Sequence, residues 1–138
     1  MKKTVRGNIY APYSLHDMNI VAAEIRENDM ILRTQSGIVQ AEPPYGQPDG
    51  YVEFHQIRWD FSYAYLLEFN GNEGDFSGKK LFLKDFFSGH PTWGFSVMDE
   101  TYGYNCTKYS GYITVCGRFC ECIFEIYHEG DMVFVAEE

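Results

Sequence analysis

His16 and Asp17 are adjacent, and an imidazole beside a carboxylate is the simplest acid–base unit a chain can build. In an extended strand, neighbouring side chains point to opposite faces, which separates such a pair. In a turn, Asp17 caps backbone groups and His16 packs where the next strand begins. The structural role outweighs the catalytic one for both. Cys106 is the best-placed candidate nucleophile, because Lys108 stands two residues on and Tyr104-Asn105 read as a loop. A nearby cation and partial exposure favour the thiolate, the reactive form. No motif surrounds it.

Cys116, Cys120 and Cys122 raise the question of a metal. Structural zinc uses two separated Cys or Cys/His pairs, and that pattern is missing here. Cys120 and Cys122 instead share a strand face with Phe124 and Ile126, where a reduced Cys is a small apolar residue. Glu53, Glu121 and Glu125 supply carboxylates of the kind glycosidases pair, but solvated sheet faces account for them better. Glycine-rich phosphate-binding motifs are absent. We therefore assign no catalytic residue, no metal ligand and no cofactor.

Binding residues are easier to nominate. Tyr45, Tyr51, Trp59, Trp93 and Tyr102 all flank loops, where aromatic rings anchor partners or close the ends of a core. The core role is favoured, by the narrowest margin of any of these choices. Tyr45, Trp93 and Tyr102, with His16 and Asp17, form the candidate binding set. Tyr45 leads it, because residues 42–50 contain Pro43, Pro44 and Pro48 and lose little freedom on binding.

The elements that must position these residues are strands. At 138 residues the chain reads as a single β domain spanning 1–138. Aromatic residues make up 17% of it, which suits pleated sheets. Val21, Ala23 and Ile25 alternate with Ala22, Glu24 and Arg26; Glu27-Asn28-Asp29 supplies a turn; Met30, Leu32 and Thr34 resume the alternation. An N-terminal arm or a short edge strand is expected around Asn8 to Tyr10, and a further short strand over Ile38 to Ala41. Tyr51 to Asp60 reads as a long strand with a bulge near His55-Gln56, where the apolar phase switches. Phe61 to Phe69 is apolar on both faces near its middle, which predicts a central strand. Asn70 to Asp75 is a polar loop. Lys80 to Phe87 fits either a strand or a short helix. Trp93 to Val97 is a strand, and Asp99 to Asn105 a connection rich in Tyr and Gly. Tyr112–Gly117, Phe119–Tyr127 and Met132–Ala136 read as a meander, with His128 to Asp131 as a hairpin turn.

Glu125-Ile126 and Asp131-Met132 echo Glu24-Ile25 and Asp29-Met30 around a second acidic turn. Two similar hairpins are what pseudo-symmetric halves would give, but nothing between them repeats, so convergent turn chemistry is the favoured reading of the echo. About nine or ten short strands in a helix-poor chain predict an all-β fold, an antiparallel sandwich or partly open barrel with at most one short helix.

The formal charge is −9, from 11 basic and 20 acidic residues. Nucleic acid and anionic membranes need basic patches, so both are disfavoured as partners. A basic protein partner, or solubility alone, suits the charge. Met1-Lys2-Lys3 begins like a secretion signal, but Val5 to Asn8 interrupts any apolar region. A cytoplasmic location with reduced cysteines is the expectation.

Leu15-His16-Asp17, then Ile20, Glu24 and Ile25, a polar turn, and Asp29, Ile31 and Leu32 form a pattern. It resembles the opening hairpin of small bacterial β-rich domains, some of them immunity proteins that neutralise secreted toxins. The resemblance covers residues 15–39. It implies a fold type more than a function, and it tilts the expected non-enzymatic, protein-binding role, with the partner's basic character taken from the charge, toward neutralisation of a basic toxin. The alternative reading is a small-ligand-binding barrel or sandwich with an aromatic-lined cleft.

Overall fold

A computed structural model describes residues 1–68 and 77–137. Ten strands form one antiparallel sheet: β1 (Lys2–Val5), β3 (Asn19–Arg26), β4 (Asp29–Thr34), β6 (Gly50–Phe54), β7 (Tyr63–Leu67), β8 (Gly78–Phe82), β9 (Trp93–Gly103), β10 (Cys106–Val115), β11 (Arg118–Tyr127) and β12 (Met132–Ala136). Their order is β1-β12-β6-β4-β3-β9-β10-β11-β7-β8. A separate two-stranded sheet pairs β2 (Tyr13–Ser14) with β5 (Val39–Gln40). One helix, α1 (Leu83–Gly89), follows β8 directly. The fold is all-β, as the alternating patterns predict.

The sheet curls strongly. Phe54 on β6 and Tyr109 on β10 lie four strands apart, a distance of about 19 Å in a flat sheet. Their ring centroids are 6.4 Å apart. The Arg6 guanidinium, just past β1, lies 4.7 Å from the centre of the Tyr102 ring on β9, five strands away. The inner face thus closes on itself around Phe54, Phe95, Tyr109, Phe124 and Phe134, and α1 adds Leu83 and Phe86. The barrel does not close, and β1 and β8 each keep one edge unpaired among the described residues. Both edges carry paired lysines, Lys2-Lys3 and Lys79-Lys80. Like charges along an edge discourage pairing with another chain.

Local patterns are read correctly where alternation is strict. Met30 and Leu32 on β4, and Cys122, Phe124 and Ile126 on β11, all face the core. On β3 a register shift between Ile20 and Ala22 turns Val21 outward while Ile20 is buried. Gly111 marks a second shift, between β9 and β10. A Cβ there would lie 1.9 Å from the Ser96 carbonyl oxygen, so only glycine fits.

Several expectations are corrected. The first strand is Lys2–Val5, while Gly7 and Tyr10 close a turn in place of the strand at Asn8 to Tyr10. The strand from Tyr51 stops at Phe54, where Gln56 enters the left-handed region at φ 52° and a 3-10 turn forms over Trp59–Phe61. That break, and not a bulge, switches the apolar phase. The segment Asp99 to Gly103 continues β9 because it pairs with β10. Lys80 to Phe87 divides, with strand to Phe82 and helix from Leu83. β7 lies second from an edge, not at the centre. Phe69 and the Asn70 to Asp75 loop lie outside the described residues.

The largest correction concerns the meander. β10 and β11 form a hairpin, but β12 pairs with β1 and β6 instead of β11. His128 to Asp131 therefore crosses the open end of the curl. Five consecutive buried residues on β12 reflect its place between β1 and β6, covered on both sides.

Candidate functional site

The outer face of β7, β8 and β11 carries an aromatic cluster. Ala64 points inward and is fully buried, so alternation sends Tyr63 and Tyr65 outward. Register places Phe82 opposite Tyr63, and Lys80 opposite Tyr65. On the other side, Glu125 is opposite Tyr63 and Ile123 is opposite Tyr65. The 3-10 turn then brings Phe61 beside Tyr127, at the end of β11.

The rings fall into two groups, Tyr65–Tyr63–Phe82 and Phe61–Tyr127. Tyr63 and Phe82 stack with centroids 5.6 Å apart and an interplanar angle of 24°. Tyr63 and Tyr65 are 6.2 Å apart, and Phe61 and Tyr127 are 5.9 Å apart. Phe61 is 51% exposed, Phe82 48% and Tyr127 36%. Partly exposed rings grouped on one sheet face are the kind of apolar patch that marks an interaction surface.

Charges frame the cluster. The Lys80 ammonium sits 4.0 Å from the centre of the Tyr63 ring, covering one of its faces. The Arg58 guanidinium lies 5.3 Å from the Phe61 ring centre and pairs with Asp60 at 3.2 Å and Glu129 at 3.0 Å. These carboxylates raise its pKa further, Glu129 most. Lys108 pairs with Glu125 at 3.3 Å, which raises the lysine pKa. Such anchors, held by cation–π contacts and ion pairs, are pre-ordered for contact with another surface.

The five nominated residues do not form one surface. His16 and Asp17 do meet, with Nδ1 and Oδ2 3.1 Å apart, because the pair occupies a turn between β2 and β3. Asp17 has φ 65° there, and both side chains are exposed. Tyr45 stands exposed in the loop 42–50, with φ 59° beside a cis Pro43–Pro44 bond. Trp93 is 7% exposed, with its ring stacked on Phe87 at 5.5 Å and edge-on to Phe124 at 5.6 Å. Tyr102 points into the curl under Arg6.

The chemical candidates are placed as follows. Burial raises the Cys106 thiol, outweighing the pull of Lys108. Burial also pushes Cys122 far up and Cys120 up, while Cys116 is exposed in the β10–β11 turn. Glu53 accepts from His55 at 3.1 Å, and Glu125 is taken by Lys108. No cluster of three metal-ligating side chains occurs among the described residues.

A strand apolar on both faces near its middle does not reveal that Tyr63 and Tyr65 lie on its outward face. The signal was Lys80, whose charge must reach water from the strand paired with β7. No protein-family model, curated protein or solved structure matches the chain.

Proposed function

We propose that this is a non-enzymatic protein-binding domain whose partner docks on the aromatic face of β7, β8 and β11. The observation that carries the reading is the gathering of two ring groups, Tyr63 with Tyr65 and Phe82, and Phe61 with Tyr127, on the outer side of β7, β8 and β11. Interface centres are rich in aromatic residues and arginine, with a polar rim, and this face has both. Lys80 over Tyr63 disfavours a sugar stacked on that ring and leaves the partly exposed edges of Phe61, Phe82 and Tyr127 for an apolar protein surface.

The partner class is a basic protein. A net charge of −9 attracts cations from a distance, while the aromatic face provides short-range contact. Together with the resemblance of residues 15–39 to immunity proteins, this makes neutralisation of a basic toxin the role we favour. The filled interior, with Phe95 and Phe124 stacked at 4.6 Å, supports this reading over a small-ligand barrel.

The test is comparative capture. A partner retained by the wild type should be lost by Phe61→Ala combined with Phe82→Ser, and kept by Tyr45→Ala. Equal retention by all three proteins would rule the aromatic face out.

A further inference from the structure

At the end of the curl opposite His128 to Asp131, the core-facing side of the sheet runs out into cations. Along β11 the inward row is Phe124, Cys122, Cys120 and then Arg118, the first residue of the strand. On β8, Leu81 stands opposite the buried Ala64 and Lys79 opposite Leu66. Lys79 therefore lies on the inward side, whereas Lys80 turns outward over Tyr63. Two positions that continue an apolar face are thus filled by long basic side chains. On the edge strand β8 an inward charge discourages pairing with another chain. β11 is flanked by β10 and β7, so edge protection does not account for Arg118.

Arg118 and Lys79 line a cavity of about 370 Å³. Leu66, Val115 and Cys120 give it an apolar wall. The Arg118 charge acts on the Cys120 thiol, opposing the rise that burial causes, so the guanidinium stands beside that wall. His90, just past α1, closes another side. Its Nδ1 donates to the Phe86 carbonyl at 2.8 Å, and its ring stacks on Phe86 with centroids 4.6 Å apart. These contacts fix the ring in place.

The basic groups here are uncommitted. Neither Arg118 nor Lys79 forms an ion pair among the described residues, although the chain holds 20 acidic residues against 11 basic ones. Glu68 also stands at the cavity, and it accepts from Ser77 Oγ at 2.8 Å.

We propose that this cavity binds a small amphipathic carboxylate, with its hydrocarbon body against Leu66, Val115 and Cys120 and its carboxylate held by Arg118 and Lys79. An apolar wall with a few charged groups is the usual make-up of a small-molecule site, and the volume is in the usual range. A guanidinium matches a planar carboxylate with two parallel hydrogen bonds, and a lysine adds a point charge. The site lies at the rim of the curl, outside the filled interior, and it is independent of the aromatic face.

The test titrates sodium octanoate into the full chain at pH 7 and constant ionic strength, followed by amide NMR. The Leu66, Val115 and Cys120 signals should shift and saturate, while those of Phe61 and Tyr127 stay in place. Sodium acetate has the charged head without the body, and 1-octanol the body without the charge. Each should bind at least about tenfold more weakly, since a charged hydrogen bond alone is worth that factor. Arg118→Gln combined with Lys79→Gln, both at exposed positions, should weaken octanoate about tenfold and leave octanol unchanged. Octanoate binding that survives both substitutions, that shifts other residues instead, or that never saturates overturns the site. Octanol or acetate binding as tightly as octanoate overturns the amphipathic carboxylate as its ligand. Should the double variant not fold, the comparison of the three probes on the wild type decides.

Discussion

Met30 and Met132 lie on opposite sides of Phe54, each its antiparallel partner across β6. The match extends along the strands. Ile31 and Val133 both stand opposite Glu53, and Leu32 and Phe134 opposite Val52. The two Asp-Met segments are thus parallel strands in one register. Each also brings an aspartate to the chain after Phe54. Asp29 Oδ1 accepts from the Gln56 amide at 3.0 Å, and the Asp131 carbonyl accepts from the His55 amide at 2.9 Å. The sequence echo reflects equivalent positions beside β6, although only the first copy is a hairpin.

Phe54 should therefore be among the costliest core residues to truncate. Its ring also meets Tyr109 and, at 5.3 Å, His128. Phe54→Ala is expected to lose about 3–5 kcal/mol in urea unfolding. Val21→Ala, at a side chain that the β3 bulge turns outward, should change stability by no more than about 0.5 kcal/mol. Similar losses for both would contradict the burial described.

The aromatic face should be dispensable for folding. Phe82→Ser removes a half-exposed ring stacked on Tyr63, a contact worth about 0.5–1.5 kcal/mol. The variant should remain folded by near-ultraviolet circular dichroism and dissociate faster from the partner. A variant that unfolds would assign the ring to the core.

His128 should make the fold acid-sensitive. It is 2% exposed, and burial lowers its pKa below the ordinary value of 6.5. The unfolded chain then takes up a proton before the folded one does. This contribution is complete above pH 6.5 and is lost as the pH falls from there toward the lower folded-state value. Melting curves from pH 8 to pH 5 should show a steeper loss for the wild type than for His128→Gln. Parallel curves would remove His128 as the cause.

The four thiols should differ in reactivity. Cys116 is exposed in a hairpin turn, whereas Cys122 is buried and its thiol is held protonated. A disulfide reagent should modify Cys116 first and reach Cys122 only on unfolding. Early modification of Cys122, mapped by mass spectrometry, would mean that β11 opens readily in the native state.

Replacing Gly111 should strain the sheet. Gly111→Ala drives a methyl into the Ser96 carbonyl, an overpacking expected to cost about 1–3 kcal/mol. Thermal unfolding of the variant measures it directly.

Strict alternation determined a good part of this molecule in advance. The inward faces of β4 and β11, the β3–β4 hairpin and the all-β class follow from side chains that alternate every second residue. That property needs no knowledge of the neighbouring strand. Tertiary structure decided the rest. Nothing local distinguishes β12 as the return strand of a meander from β12 inserted between β1 and β6, because the choice depends on which edges the curled sheet leaves open. The same curl sends Trp93 and Tyr102 inward and leaves Phe61, Phe82 and Tyr127 partly outside. A ring near a loop is equally apolar in either place, and only the path of the other strands determines whether anything covers it.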